Sequence, residues 1–267
     1  MTAVVALAGT GLAGWSFLKA TSARQLETVS SNAVTTRKLE YFRENIARVQ
    51  TVDALMADRR LLDVALTAFG LQDDLPNRAF IRKVLAEGTI DDRSFANRLA
   101  DRRYAAMSKA FGFDLTPPNT VTSAFAETIS QQFVRQTFEV ATGDLDPNMR
   151  LGLSFERDLP DLVASTSSED AFWFTVMGTP PVRRVFETAL GIPAAASGLD
   201  VDRQLDIFKD KAQRVYGSAN PDDILEVGTE RIIRDFLLRS DVSDLSLTAV
   251  RGSVALSLLQ AGSPRTF

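Results

Sequence analysis

Apolar residues return at every third or fourth position in one block after another of this chain, and that spacing commits it to helices. Leu61, Leu62, Ala65, Leu66 and Phe69 stand at i, i+1, i+4, i+5 and i+8, which gathers them on one helix face. Phe80, Ile81, Val84 and Leu85 repeat the pattern. So do Leu205, Phe208, Ala212 and Val215, then Ile232, Ile233, Phe236 and Leu237, while Phe125, Ile129 and Phe133 form a stripe at intervals of four. Nothing longer than the Val4-Val5 run competes as a strand. The expected class is all-α and multi-helical.

The residues between these blocks are those that start and stop helices. Asn220-Pro221-Asp222-Asp223 offers a cap, a proline at the first helical position and acids facing the positive end of the helix dipole. Gly70, Gly88, Gly112, Gly143, Gly191 and Gly217 each follow an apolar run, where a helix end often needs positive φ. Pro117-Pro118-Asn119 is the clearest break in the middle. The expected organisation is an apolar N-terminal arm over 1–22, a first helical unit over 23–116 and a second over 117–267, the two packing either separately or as one domain.

Repetition within the chain bears on the same question. Val64 to Leu71 (Val-Ala-Leu-Thr-Ala-Phe-Gly-Leu) resembles Val185 to Ile192 (Val-Phe-Glu-Thr-Ala-Leu-Gly-Ile), and Ala110-Phe111-Gly112-Phe113 is a shorter echo. Two explanations stand: a duplication, or the common habit of helices to end apolar-Gly-apolar because the residue after the glycine packs back on the last turn.

Composition excludes more chemistry than any motif adds. With no histidine and no cysteine, zinc fingers, thiol nucleophiles, disulfide scaffolds and His-based triads are all ruled out. A net charge of −4 and a pI near 5.1 give no general attraction for phosphate backbones, so nucleic acid is not an expected partner. No cofactor or metal is expected either. Asp144, Asp146 and Asn148 match the first three ligands of a calcium loop, but Met149 stands where glycine is needed and Phe155 where glutamate is needed. Asp91-Asp92, Asp101, Asp200, Asp202 and Asp222-Asp223 could pair as catalytic or magnesium-binding carboxylates, yet all sit where helices begin, which is the place for caps. No phosphate-binding glycine loop is present. Nothing pairs Lys83 or Lys109 with a serine, as a Ser-Lys nucleophile would require.

Candidates for partner contact are clearer than candidates for catalysis. Met1 to Leu18 carries no charge, and the first basic residue, Lys19, lies on the wrong side for a secretory signal. Gly9, Gly11 and Gly14 weaken it as a spanning helix, so no integral membrane segment is expected; the stretch reads as an apolar arm that docks on its own protein or on a partner. Leu12, Trp15, Phe17 and Leu18 are its contact candidates. Phe172-Trp173-Phe174 covers about 200° of a helix, which suits either a fully buried core helix or exposure for binding, and Phe172 and Trp173 join the list. Arg59-Arg60, Arg102-Arg103 and Arg183-Arg184 could dock an acidic surface, or pair with Asp58, Asp101 and Glu187 on a solvated face.

Longer strings resemble a known family. Gly11-Leu12-Ala13-Gly14-Trp15-Ser16-Phe17-Leu18, Leu61 to Leu71, Phe80-Ile81-Arg82-Lys83-Val84-Leu85, Asp92 to Leu99 with Asp101-Arg102-Arg103-Tyr104, Phe172 to Pro181 and Asp202-Arg203-Gln204-Leu205 onward to Leu237 are similar to an uncharacterised helical domain of unknown function from alphaproteobacteria. No catalytic residues come with that resemblance. It implies a setting, because members of the family are often encoded among flagellar genes. The expected function is therefore a non-enzymatic interaction or assembly protein of the bacterial flagellum, with a protein partner that is a flagellar component. The expected location is cytoplasmic, or exported through the flagellar apparatus. The alternative is a helical ligand-binding protein or an enzyme using Asp, Glu, Arg and Lys in a groove between the halves.

Overall fold

The computed structural model describes residues 5–99 and 101–242, and among these the chain is helical with no strand. Helix α1 spans Gly11–Ser31, α2 Ala33–Asn45, α3 Val52–Ala57, α4 Arg59–Ala68, α5 Arg78–Glu87, α6 Phe95–Arg98, α7 Arg102–Phe111 and α8 Ser123–Leu145. Then come α9 (Pro147–Ser165), α10 (Glu169–Gly178), α11 (Pro180–Leu190), α12 (Val201–Tyr216), α13 (Pro221–Val227) and α14, helical over 229–242. The described residues fall into two compact units. The first is built from residues up to 8 and from 16–150, the second from 9–15 and from 151 onward.

In the first unit α4 is the central element. Its Leu61, Leu62, Val64, Ala65, Leu66 and Ala68 are all buried, and it packs against α2 and α8, which bring Leu39, Phe42, Ile129 and Phe133 into the same core. This placement corrects the expected boundary at 116/117. Pro117 and Pro118 do interrupt the chain, but α8 then lays its Phe125–Ile129–Phe133 stripe back on the core of the first unit, so the division falls at 150/151. The expected end of the arm at residue 22 is also corrected, since 11–31 is one helix. Gly11 and Gly14 stand in the opening turn of α1, where the helix is least committed, and Gly11 adopts φ +58° with the carboxylate of Asp241 filling the place a Cβ would take.

The second unit is centred on aromatic rings. Phe155 of α9, Phe172 and Trp173 of α10, Phe186 of α11 and Phe208 of α12 are buried together. Phe186 meets Phe155 and Trp173 edge to face, each at 5.2 Å between centroids. Arg183 ties the surrounding helices: its Nε donates to Glu187 at 2.7 Å and its Nη2 to Gln204 Oε1 at 2.8 Å, while Nη1 donates to the Met177 carbonyl.

Five of the six expected helix stops hold, because Gly70, Gly88, Gly112, Gly191 and Gly217 all take positive φ. Gly143 does not stop a helix. It lies inside α8, and it is glycine because the Arg150 side chain passes 2.5 Å from where its Cβ would be. The resemblance between Val64–Leu71 and Val185–Ile192 extends beyond the shared glycine. Ala57 and Gly178 end a helix, Arg59 and Pro180 begin the next, and Gly70 and Gly191 close it, each pair 121 residues apart. A 3-10 turn and another helix follow in both units, α5 in the first and the longer α12 in the second.

Candidate functional site

The six residues expected to contact a partner are placed mainly inside the chain. Trp15 is 1% exposed, its indole N–H donates to Glu230 Oε1 at 2.9 Å, and the ring lies against Gly152, where an added Cβ would sit 2.8 Å from it. Leu18 is buried, while Leu12 and Phe17 are half-buried. Phe172 and Trp173 are core, and the Trp173 indole N–H donates to the Ala219 carbonyl at 2.9 Å. Phe174, the third aromatic of that run, is 41% exposed. Ahead of α1, Ala6 is held by a two-way pairing, in which its N–H donates to Gln25 Oε1 at 2.9 Å and Gln25 Nε2 donates to its carbonyl at 3.0 Å. Residues 1–4 of the expected arm lie outside the described residues.

Three of the acidic candidates, Asp101, Asp146 and Asp200, act as helix caps. Asp146 accepts from the amides of Asn148 and Met149 at 2.8 and 3.4 Å, so the calcium-like triplet is the turn into α9. Asp101 caps α7 and Asp200 caps α12 through the amides of Arg103 and Arg203. Asn220 caps α13, with Asp222 and Asp223 in its first turn, and Asp91 accepts from the Arg93 amide. Among the described residues no three acidic side chains converge as metal ligands would. One arginine of each pair is engaged by a near neighbour, Arg103 and Arg183 by acids and Arg60 by an aromatic ring. Arg103 grips Asp101 through Nε and Nη2, Arg183 pairs with Glu187, and the Arg60 guanidinium lies 3.4 Å from the Tyr41 ring centroid while the Tyr41 hydroxyl donates to Asp58.

One concavity lies in the first unit. It is shallow, about 490 Å³, and is lined by Asp74, Pro76, Asn77, Arg78, Phe80 and Tyr104 at the start of α5 and the start of α7. The Tyr104 hydroxyl donates to Asp74 Oδ2 at 2.6 Å and Asn77 Nδ2 donates to Oδ1 at 2.8 Å, so both oxygens of the one carboxylate are engaged. Burial, followed by that bond to Asp74, pushes the Tyr104 phenol up to about 12. Phe80 stands edge-on to Tyr104 at 5.1 Å, and Arg78 donates to the Met56 carbonyl. The Asp101 carboxyl is raised by burial but lowered further by Arg103, and ends below its ordinary range. The arrangement can hold hydrogen bonds and a rigid ring; it offers no unengaged base. Sequence reasoning did not find this network, since Asp74 and Tyr104 are 30 residues apart and nothing local in the string that holds Tyr104 points to Asp74.

Comparison with known proteins agrees with the fold. A crystal structure of a protein from Agrobacterium tumefaciens is similar over 88% of this chain and 98% of its own, at 30% identity and a TM-score of 0.68. No curated protein matches. The family model described as a protein of unknown function, DUF1217, matches residues 68–225, more than half of the sequence. The helical frame is thus that of a shared domain, and the chain belongs to the DUF1217 family of proteins of unknown function.

Proposed function

We propose that this chain is a non-enzymatic interaction or assembly protein of the bacterial flagellum, working in the cytoplasm or, as the alternative, exported through the flagellar apparatus. What most supports the non-enzymatic part is how the carboxylates are used. An enzyme without histidine or cysteine would depend on Asp, Glu or Lys held in reach of a substrate with a pKa near the working pH. Here Asp101, Asp146 and Asp200 accept from backbone amides at helix starts, and the Asp74 carboxylate of the shallow concavity is engaged on both oxygens.

The flagellar part is supported by the family resemblance. The partner is a flagellar component bound by an outward helical face; the buried Trp15, Leu18, Phe172 and Trp173 serve the fold instead. No described helix is long and apolar enough to cross a membrane. Fractionation of cells carrying a tagged full-length chain tests the proposal. Recovery with purified basal bodies, with sheared filaments or bound to a soluble flagellar component is expected. Recovery with no flagellar component in any fraction would contradict it.

A further inference from the structure

Helix α12 carries an apolar stripe that outruns its own packing. Val201, Leu205, Phe208 and Ala212 stand at i, i+4, i+7 and i+11, which places them on one helix face. Leu205, Phe208 and Ala212 are buried, but Val201, at the start of the helix, is 57% exposed, and Leu199 just ahead of it is 39% exposed. The turn that presents them is fixed from inside. Gln204 Nε2 donates to the Leu199 carbonyl at 2.7 Å, Gln204 Oε1 accepts from Arg183, and Asp200 caps the helix. In the first unit α5 follows its glycine-closed helix and 3-10 turn in the same order, and there the start of the helix is covered. Phe80 is met edge to face by Phe95 of α6 at 5.4 Å and by Tyr104 of α7 at 5.1 Å. Only four residues join α12 to α13, so the chain has no counterpart of α6 at that point of the second unit.

Charge of one sign runs beside the open end of the stripe. Asp202, Asp206 and Asp210 follow one another at i, i+4 and i+8 along one side of it. Among the described residues Asp202 and Asp206 meet no basic side chain, and Asp210 meets Arg214 only at 3.9 Å. Lys209, which projects on the same side, is held by Glu169 and Asp170, each at 2.8 Å.

We propose that the start of α12 is a docking site for a basic amphipathic helix of another protein, which seats an apolar side chain on Leu199 and Val201 and sets lysines or arginines along Asp202 and Asp206. This rests on the reading of the chain as an interaction protein, and it names the face and the chemistry of the partner. The first unit shows the form of cover that such a helix start takes, an aromatic ring on a short helix, and the surplus of carboxylates selects the charge of the helix that supplies it. Burial of the two apolar side chains contributes affinity, while the exposed carboxylates contribute mainly encounter and orientation.

Fluorescence anisotropy on the full chain tests this with three labelled synthetic helical peptides that share one leucine stripe and carry lysine, glutamate or glutamine beside it. The lysine peptide is expected to bind most tightly. Leu199→Ser combined with Val201→Ser should weaken it about tenfold. Asp202→Asn combined with Asp206→Asn should weaken it several-fold and make it less dependent on salt. Ile90→Ser, at an exposed apolar position of the first unit, should leave it unchanged. All three variants should melt close to the unaltered chain, since each changes only exposed side chains. The proposal is overturned if the lysine peptide binds no better than the other two, if either α12 variant binds it unchanged, or if Ile90→Ser weakens it equally. It is also overturned if light scattering finds the unaltered chain as a pair that the Leu199→Ser, Val201→Ser variant separates, because the occupant is then a second copy. Peptide binding is measured without reference to flagella, so it can fail while the fractionation succeeds, and the reverse.

Discussion

Helix α4 begins behind Asp58, whose carboxylate accepts from the amides of Arg60 and Leu61. Helix α11, 121 residues on, begins behind Thr179, which makes no capping bond; its first two residues are Pro180 and Pro181, which have no N–H to satisfy. The unpaired amides of a helix start are thus met by an acceptor in one unit and removed in the other. At the far ends the two agree. Leu71 N–H reaches the Leu66 carbonyl and Ile192 N–H the Glu187 carbonyl, both at 2.8 Å, around glycines at φ +68° and +64°. An arginine lies across each glycine: Arg103 Nη1 donates to the Gly70 carbonyl, and Arg239 Nη1 is 2.8 Å from where a Gly191 Cβ would be. Between the ends the fill differs, with Ala65 in one unit where Phe186 stands in the other. Backbone stereochemistry leaves few ways to close a helix, whereas many sets of side chains fill a core of given volume.

The sharpest break of this comparison comes from the interior. Phe186→Ala removes the ring that Phe155, Phe172 and Trp173 all meet, and about 3–5 kcal/mol should be lost in urea unfolding of the full chain. The glycines come next. Gly70→Ala and Gly191→Ala should each cost about 1–2 kcal/mol and should be nearly equal, because both force a side chain into left-handed backbone. A large inequality would show that the arginine contacts, not the backbone, set the cost. The helix starts should separate the units. Asp58→Ala should cost about 1 kcal/mol through the lost cap, and Thr179→Ala only a few tenths.

The Asp58 contribution also depends on acid. Burial raises its carboxyl, but the Tyr41 hydroxyl and the amides of Leu61 and Arg60 together lower it below the ordinary value. Its stabilisation is therefore present above the unfolded pKa of about 4 and lost as pH falls through the depressed folded value. Asp58→Ala should flatten that acid limb of the stability curve. The smallest effect is alkaline. Tyr104 titrates near 12 when folded, so its contribution is intact below about 10 and lost as pH rises from there towards 12. Absorbance titration of wild type against Tyr104→Phe checks it.

Helix ends were the most legible part of the sequence, since a glycine after an apolar run or an acid before one acts within a few residues. The misreadings involve partners beyond the reach of a single turn, most of them distant along the chain. Gly143 looks like Gly70 until Arg150 is seen crossing it. Trp15 looks unpartnered beside its glycines, and only Gly152 and Glu230 reveal where its ring and its N–H go. Pro117 looks like a boundary because nothing local says that α8 folds back on α4. The burial of Trp15 also changes how the protein is best probed. Removing residues 1–20 would take away Trp15 and Leu18, both buried, and so would confound loss of a partner with loss of the fold.

The most direct test of the central claim is swimming and flagellar number in a strain lacking this gene and in the same strain with the gene restored. A non-enzymatic protein of flagellar assembly predicts impaired swimming or altered flagellar number, rescued by the intact gene and equally by Asp74→Asn, which removes the carboxylate of the shallow concavity. Unchanged swimming and flagellar number in the deletion strain would contradict the flagellar role. Rescue by the intact gene but not by a stably folded Asp74→Asn chain would contradict the non-enzymatic one.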